Sequence, residues 1–424
     1  MNKIRTIIAA VSIVVAASAS AQTTSPYSMY GYGIIGDRAT SHQRAMGGVG
    51  YAMNSGRQIN VMNPASYASI DSLTFLFDLG ADVSLLWSKE GSARKNSTGG
   101  GVDYLTMQFP ICKFMGGSVG LLPYSNVGYS FGNEIQHGTS SNQGSGGINQ
   151  LYLGVSGKVA GFSIGANVSY DFGTILHDVF ANPVTGGQTK FEQVMEIRDW
   201  NITLGAQYTF NWNKWNKLVV GLTYSPKKSL HGKTWATMQE TSQDSQPDTV
   251  ASGKLKDKYY MPQTFGGGIS YTYERNYRVM VEADFTFQQW SKAPYSALYG
   301  PEDIANHRPA EIVAPGMRFN DRTKYAVGAE FVPRLRGNYG ERIAYRLGGY
   351  YANDYLNING NKVKEYGVTA GFGFPTPEGK TQINLGLEWK RRYGTPHQLI
   401  GENYLNITVG VNFNEVWFWK RKIR

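Results

Sequence analysis

Two acidic residues have the spacing of a catalytic pair. Glu282 and Asp284 are two positions apart, so in a β-strand both side chains would project from one face. Neighbouring carboxylates can share a proton and act as general acid and base. Arg278 has the same parity and would neutralise them, and Lys324 with Glu330 repeats the arrangement in a later segment. We therefore interpret these residues as charge ladders inside a polar lumen, in preference to a catalytic pair.

The other residues that commonly bind metals or act as nucleophiles are scattered. The six histidines are His42, His137, His177, His231, His307 and His397. They form no pair with metal-ligand spacing, and the single cysteine, Cys112, can form neither an internal disulfide nor a zinc knuckle. The chain has no nucleophile elbow and no His-Glu-x-x-His sequence. We predict that the protein is not an enzyme and uses neither a metal nor a cofactor.

Two glycine-rich segments are similar to phosphate-binding motifs. The segment from Gly31 to Gly36 has the spacing of the dinucleotide fingerprint, but it neither follows a clear strand nor opens a clear helix. The sequence Gly379-Lys380-Thr381 matches the end of a P-loop, but Phe374 occupies the position of the first glycine. We interpret both segments as turns.

The N-terminus has the features of a secretory signal. Lys3 and Arg5 precede an apolar run from Thr6 to Ala17, which is followed by the small-residue site Ala19-Ser20-Ala21. We predict that residues 1–21 are a signal peptide. The alternative, an N-terminal membrane helix, is disfavoured because the apolar run is too short to span a bilayer.

The composition suits a β-protein in a membrane. The 424 residues include 51 Gly, 28 Tyr, 19 Phe and 9 Trp, and after the signal no apolar run is long enough for a transmembrane helix. The strands of a membrane barrel contain no long apolar run, because only alternate residues face lipid. The formal net charge of +10 would suit nucleic acid. Export argues against a nucleic-acid partner, so we expect the basic residues to contact solvent or lipid headgroups.

Apolar and polar residues alternate strictly in many segments. Within Asn403 to Phe413, apolar residues occupy every second position from Leu405 onward, and Asn, Thr and Gly fill the positions between them. The segments lie near residues 72–87, 101–111, 115–131, 147–159, 161–173, 194–211, 217–226, 259–273, 276–290, 317–333, 341–352, 361–375, 381–393 and 403–413. This pattern predicts an all-β fold: a transmembrane antiparallel β-barrel of about fourteen strands over residues 72–413.

The connections between these segments alternate in length. The short ones lie around residues 110–115, 160, 212–216, 273–276, 333–340 and 375–380. The long, polar ones cover residues 88–100, 132–146, 174–193, 227–258, 291–316, 353–360 and 394–402. Short periplasmic turns and long outer loops are typical of outer-membrane barrels. We therefore predict a bacterial outer-membrane location, with outer-membrane lipid around the barrel.

The segment before the first strand has a different character. Residues 22–71 lack alternation and contain Gly47, Gly48 and the sequence Asn63-Pro64-Ala65. Asn63 suits a helix N-cap, and Pro64 suits the first helical position, where its missing N–H costs nothing. A fourteen-stranded barrel is too wide to be filled by the side chains of its own wall. We predict that this segment is a hatch that plugs the lumen.

These features together resemble the long-chain fatty acid transporter (FadL-like) family. The resemblance rests on the glycines, on Asn63-Pro64-Ala65 and on the number of strands, and it covers nearly the whole chain after the signal. The sequences from Arg44 to Gly48 and from Asn63 to Tyr67 are most similar to the Bacteroidota branch of this family. That branch also resembles the barrel subunit of the type IX secretion system. The resemblance implies that Asn63, Pro64 and Ala65, with Gly47 and Gly48, gate the lumen.

Pro123 interrupts the third predicted strand. Proline cannot donate to a strand ladder, so this position indicates a bulge or a gap. In the resembling transporters, a kink in the third strand opens the wall so that substrate leaves sideways. The resemblance therefore assigns a lateral opening to Pro123, Tyr124 and Asn126. A purely structural bulge is the alternative.

The last residues, 414–424, form a basic aromatic tail. Trp417-Phe418-Trp419 is followed by Lys420-Arg421-Lys422. We interpret the aromatic residues as part of an interfacial girdle. The basic residues would contact lipid headgroups or a periplasmic partner.

Two functional hypotheses of different classes follow. The first is passive uptake of small hydrophobic, fatty-acid-like molecules, with displacement of the hatch and lateral release near Pro123. The second is a non-transporting barrel subunit of an outer-membrane secretion or assembly complex, with loops 227–258 and 291–316 as docking surfaces for protein partners. The hatch disfavours a general polar porin. A continuous apolar pocket would favour transport, whereas a lumen filled by hatch and charges would favour docking.

Overall fold

The chain closes into an antiparallel barrel of fourteen strands, as predicted. The computed structural model describes residues 25–135, 137–242, 246–255, 259–293, 295, 319–377 and 381–416. The strands are β1 (Thr74–Glu90), β2 (Ala93–Cys112), β3 (Met115–Ile135), β4 (Gly138–Val159), β5 (Phe162–Pro183), β6 (Gln188–Asn211), β7 (Asn216–Ser225), β8 (Thr264–Glu274), β9 (Arg278–Gln288), β10 (Arg322–Val332), β11 (Ala344–Ile358), β12 (Asn361–Pro375), β13 (Gln382–Thr395) and β14 (Gly401–Val416). The predicted signal peptide and residues 417–424 of the predicted tail lie outside the described residues.

The barrel closes through pairing between its last and first strands. β14 runs antiparallel to β1, from Gly401 opposite Lys89 to Val416 opposite Thr74. An open sheet edge in hydrocarbon would leave backbone groups without partners, at a cost of several kcal/mol each. The predicted end of the barrel at Phe413 is three residues too early, because β1 still offers partners to residues 414–416.

Side chains alternate between the two faces of the wall. On β13, Ile383 and Leu387 are 44% and 40% exposed on the outside, whereas Asn384 between them is fully buried in the lumen. Val409 of β14 is likewise exposed, and Asn412 is buried. The outer surface is therefore an apolar belt of the kind that lipid requires.

Four predicted loops are mostly strand in the structure. Residues 88–100, 132–146, 174–193 and 353–360 continue the ladders of neighbouring barrel strands into tall hairpins. Outside the bilayer both faces of a hairpin meet water, so its polar composition reflects solvation and does not exclude pairing. The loop prediction from polarity was wrong at these places for this reason.

The connection between β7 and β8, predicted as loop 227–258, also contains strands. They are Lys228–Leu230, Gly232–Thr241, Asp248–Leu255 and Tyr259–Met261. The second and third form a hairpin that pairs with the outer half of β6, from Gln188 to Ile197. The next connection begins with a 3-10 turn at Trp290–Lys292, and most of the predicted loop 291–316 lies outside the described residues.

All six short connections lie at one end of the barrel, as predicted. They cover residues 113–114, 160–161, 212–215, 275–277, 333–343 and 376–381. Long and short connections therefore separate to opposite rims, as in outer-membrane barrels.

Residues 25–71, which we call the plug, lie inside the barrel. The plug contains one short helix, α1 (Ser41–Arg44), two 3-10 turns at Pro26–Met29 and Pro64–Ser69, and a two-residue strand, Ile34–Ile35. None of the described helices has the length and apolar character needed to cross a bilayer. The plug backbone passes so close to the wall that a Cβ on Gly348 would lie 2.2 Å from the carbonyl carbon of Met46.

We expect Gly348→Ala to destabilise the plugged barrel by about 1–3 kcal/mol, the usual cost of overpacking. The clash is with plug backbone, which cannot swing aside like a flexible side chain. The adjacent Gly349 faces outward, and a Cβ there would have no neighbour closer than 3.5 Å, so Gly349→Ala is the matched control. Midpoints of urea unfolding, followed by gel mobility with and without heating, measure the difference. Equal midpoints for the two variants would show that the wall does not fit the plug closely.

Candidate functional site: the plugged lumen and a seam in the wall

Glu282 and Asp284 of β9 hold the plug by its backbone. The Oδ2 atom of Asp284 accepts hydrogen bonds from the N–H groups of Gly50 at 2.6 Å and Tyr51 at 3.0 Å. The Oε1 atom of Glu282 accepts from the N–H of Ala52 at 2.8 Å. Successive backbone N–H groups form such a cradle for acidic oxygens, so each of these two side chains has a backbone partner in the plug. The acidic pair is therefore a clamp on the plug.

The charge ladders expected along single strands do not form. The Arg278 guanidinium lies 3.6 Å from Glu330 on β10 instead of beside Glu282. Glu330 also pairs with Arg346 on β11, at 2.8 Å. Lys324, predicted to line the lumen on the same strand as Glu330, lies 2.5 Å from Asp37 of the plug. The ladder prediction was wrong because neighbouring strands and the plug bring opposite charges closer than the next inward residue of the same strand.

Ion pairs fix the plug at two further points. Asp37 lies 2.5 Å from Lys324 and 3.8 Å from Arg322, both on β10. Burial alone would raise the pKa of Asp37, but these two cations lower that pKa below its usual value. Arg44 at the end of α1 lies 2.9 Å from Asp103 of β2. The plug is therefore tied to distant strands of the barrel.

The predicted motif Asn63-Pro64-Ala65 is a buried clasp. The Asn63 side chain accepts a hydrogen bond from the N–H of Ala65 at 3.1 Å, which confirms the predicted cap. It also donates to the carbonyl of Tyr51 at 2.7 Å. Pro64 takes the first position of the turn and lies against Gly165 of β5, where a Cβ would approach its carbonyl oxygen to 2.5 Å. The motif thus locks two parts of the plug together.

Gly47 and Gly48 contact a different part of the wall. Both have φ near +75°, the left-handed region that favours glycine. The N–H of Gly47 donates to Thr369 Oγ1 of β12 at 2.8 Å. The structure therefore places Gly47 against β10, β11 and β12, whereas Asn63 lies against β6 and β7.

β3 separates from β2 partway along the wall. Pairing between the two strands extends only as far as Leu121 opposite Leu105, although both strands continue. Pro123 stands just beyond the last pair, at a bulge in the ladder with β4. We call the gap between residues 93–104 of β2 and residues 122–135 of β3 the seam.

The plug covers the β3 side of the seam. Its strand Ile34–Ile35 pairs antiparallel with Asn126 and Ser125. The N–H of Gly36 donates to the carbonyl of Tyr124 at 2.9 Å. The three residues predicted to form a lateral opening, Pro123, Tyr124 and Asn126, therefore lie together at the seam.

A cavity of about 770 Å³ lies behind the seam. Pro123, Tyr124 and Asn126 line it on the β3 side. Charged side chains of both signs line it elsewhere, including Asp82, Asp103, Glu365, Glu388, Lys390 and Arg392. This cavity is not the apolar pocket that transport of hydrophobic molecules would favour.

An aromatic cluster covers the lumen at the rim with the long connections. Tyr32 of the plug packs edge-on against Tyr295, with ring centroids 5.0 Å apart. Trp290 lies 4.6 Å from Tyr355 of β11, and all four rings are buried. The cluster joins three separate stretches of the chain, so no local sequence pattern could predict it.

His42 of α1 is buried beside the charged groups of the wall. Its Nε2 atom lies 3.6 Å from Glu330, and its side chain is 2% exposed. Burial and the nearby Arg346 cation lower the pKa of His42 from 6.5 to about 3. The plug therefore depends on this histidine being neutral.

Comparison with known proteins supports the fold. A protein-family model described as BamG matches residues 1–424. The Pseudomonas putida toluene transporter TodX is similar with a TM-score of 0.63 at 18% identity, over 90% of this chain and 99% of that chain. A Pseudomonas aeruginosa FadL homologue has a TM-score of 0.58 at 11% identity, over 89% of this chain and 99% of that chain.

A third solved structure, the Ralstonia pickettii toluene transporter TbuX, has a TM-score of 0.55 at 14% identity, over 89% of this chain and 98% of that chain. None of the curated protein sequences matches the chain. Similarity at these identities concerns the fold: the protein shares the fourteen-stranded barrel fold of these structures. With its closed ladder and apolar belt, it is a protein of the bacterial outer membrane.

The buried histidine predicts a pH dependence of stability. The unfolded chain binds a proton at His42 near pH 6.5, and the folded chain does so only near pH 3. The stability linked to His42 is therefore fully present above pH 6.5 and declines as the pH falls toward 3. Between pH 7 and pH 5 the loss is about 2 kcal/mol.

His42→Gln should remove this part of the pH dependence, whereas the control His397→Gln, at an exposed loop position, should keep it. Urea midpoints of both variants and the wild type at pH 7 and pH 5 measure it. A wild type and a His42→Gln variant with parallel pH profiles would refute the assignment.

Proposed function

The chain belongs to the BamG family, and from the way its plug is held we propose that this barrel is a non-transporting subunit of an outer-membrane secretion or assembly complex. In this role, its wall and outer hairpins dock proteins that are being secreted or inserted. Its partners are outer-membrane lipid and other proteins of the complex.

The observation that carries the proposal is the polar attachment of the plug. Asp284 and Glu282 bind its backbone, and Asp37 and Arg44 form ion pairs with the wall. Leaving one partner of a buried ion pair alone costs about 3–5 kcal/mol. Displacing the plug would break several such contacts together, and a passive hydrophobic ligand offers no polar groups to replace them.

The hairpin on β6 is the proposed docking surface outside the membrane. Its strands, Gly232–Thr241 and Asp248–Leu255, extend the sheet beyond the barrel rim. Residues 246–250 are exposed, including the apolar Val250 at 53%. A paired, protruding hairpin offers a partner a rigid surface, which lowers the entropic cost of binding.

A second candidate is passive uptake of small hydrophobic, fatty-acid-like molecules, with movement of the Asn63-Pro64-Ala65 hatch and lateral exit at Pro123. The seam favours it, since Pro123, Tyr124 and Asn126 lie at a gap in the wall. Two of the similar structures are described as toluene transporters. The charged lining opposes it, because a hydrocarbon against charged groups removes water without replacing its hydrogen bonds.

Transport assays separate the two candidates. In liposomes, the wild-type barrel should take up no labelled fatty acid above the protein-free rate, and Pro123→Val should change nothing. The double variant Glu282→Ala with Asp284→Ala loses the clamp on the plug and should pass ion current in planar bilayers. Glu274→Ala, at an exposed carboxylate that holds no plug group, should stay closed. Uptake by the wild type that Pro123→Val reduces would support transport and contradict docking.

Isolation of the complex tests docking directly. The tagged full chain, extracted from outer membranes in mild detergent, should carry other proteins in a fixed ratio. Replacing residues 232–255 by a short turn should release them, while the heat-modifiable gel mobility of the barrel stays unchanged. A barrel that is isolated alone under all mild conditions would contradict the proposal.

A further inference from the structure

The seam leaves one strand edge without a backbone partner. Toward β1, β2 is paired from Ala93 to Gln108. Toward β3, no backbone hydrogen bond within the described part of the chain reaches β2 between Asn96 and Tyr104. Hydrocarbon offers no donor or acceptor, so an unpaired N–H or C=O at membrane depth, as at residues 101–104 below the hairpin, costs several kcal/mol. The free edge of β2 is therefore a site that a backbone would stabilise.

The β3 edge of the seam is already paired with an extended segment of the plug. There the plug strand Ile34–Ile35 adds to β3, and the N–H of Ser25 donates to the carbonyl of Gly128 at 2.7 Å. An extended piece of chain thus already completes one side of the gap. On the β2 side, the described contact across the gap is a side chain: Lys95 Nζ donates to the carbonyl of Ser130 at 2.7 Å.

A second interruption in the wall is covered differently. β7 ends at Ser225, which leaves the middle of β6 without its neighbour. Here the N–H of Arg198 donates to the carbonyl of His231 at 3.1 Å, and the Lys228 ammonium donates to the carbonyl of Trp200. The chain therefore covers that gap with its own loop, whereas none of the described residues supplies such cover for β2 between residues 96 and 104.

The edge of β2 allows another backbone to come close. Gly99, Gly100 and Gly101 present no side chains, a composition that marks close approach of a second chain or a ligand. Val102 beside them is 46% exposed on the outer face, and Asp103 points inward to Arg44. A strand seated here would therefore face lipid on one side and the polar cavity on the other.

We propose that the seam binds an extended polypeptide strand, which adds to β2 along residues 96–104. Beside residues 101–104 its outward side chains are apolar and meet lipid, and beside residues 96–100 it continues along the hairpin outside the bilayer. Its inward side chains are small or polar and meet the cavity of about 770 Å³. This alternation is that of a transmembrane β-strand. Main-chain hydrogen bonds supply the affinity, as in other cases of strand addition, and a hydrocarbon ligand has none to offer.

The inference rests on the proposed docking function and names the segment that is docked: a strand of another membrane β-protein. The probe is a synthetic peptide with the sequence of residues 403–413, which has strict alternation. Its twin has the same side chains but N-methylated amides, which removes the donors. A scrambled peptide of the same composition lacks the alternation.

The full barrel in detergent carries a photo-crosslinking amino acid at one of two outward positions. Val102 lies at the seam, and Val83 of β1 lies in intact wall, where it pairs with Gly100 and Ile407. Both side chains are about equally exposed, at 46% and 48%. Heat-modifiable gel mobility equal to that of the wild type shows that each variant is folded.

The peptide should crosslink at Val102 with a yield roughly tenfold above that at Val83, and the N-methylated and scrambled peptides should lose this difference. Equal crosslinking by the peptide and its N-methylated twin would overturn the proposal, since side chains alone would then suffice. Full displacement of the peptide by a fatty acid would also overturn the proposal, since the seam would then be a binding site for a hydrophobic ligand. The docking function itself is decided separately, by co-isolation of partners with the full chain.

Discussion

The need to pair every backbone group inside a membrane is the constraint on which this structure depends. It explains why fourteen strands close into a ring through β14 and β1. It also explains why the plug adds the strand Ile34–Ile35 to β3 at the point where β2 leaves it. The seam is the place where the chain meets this requirement on one edge and leaves it open on the other.

Several charged side chains of the barrel lumen bind the plug. Asp284 and Glu282 accept hydrogen bonds from plug amides, and Asp37 brings a plug carboxylate to Lys324. Buried charges are tolerated only where hydrogen bonds or opposite charges satisfy them. The lumen is therefore matched to this particular plug, and its polar cavity differs in character from the apolar site that a hydrophobic cargo would require.

The fold is shared with barrels described as transporters, but a shared fold does not decide a function. The interruption after Pro123 fits a lateral exit as a position in the fold. Its surroundings, a charged cavity and a rim closed by Tyr32, Trp290 and their neighbours, fit a barrel that other proteins use from outside. The two functions differ in what binds at the seam. Docking requires a polypeptide backbone that pairs with β2, and transport requires an apolar molecule that passes through the gap.

The amino-acid sequence was enough to predict the barrel, the number of its strands, the separation of short turns from long connections and the cap at Asn63. These follow from alternation and turn chemistry, which act between residues close together in the chain. The contact of Glu282 and Asp284 with the plug, in contrast, depends on the folded arrangement of the whole chain. Gly50 is 234 positions from Asp284, so no local pattern connects them. The tall hairpins and the seam could not be predicted from local patterns either. A polar segment forms a paired strand only where the fold places another strand beside it.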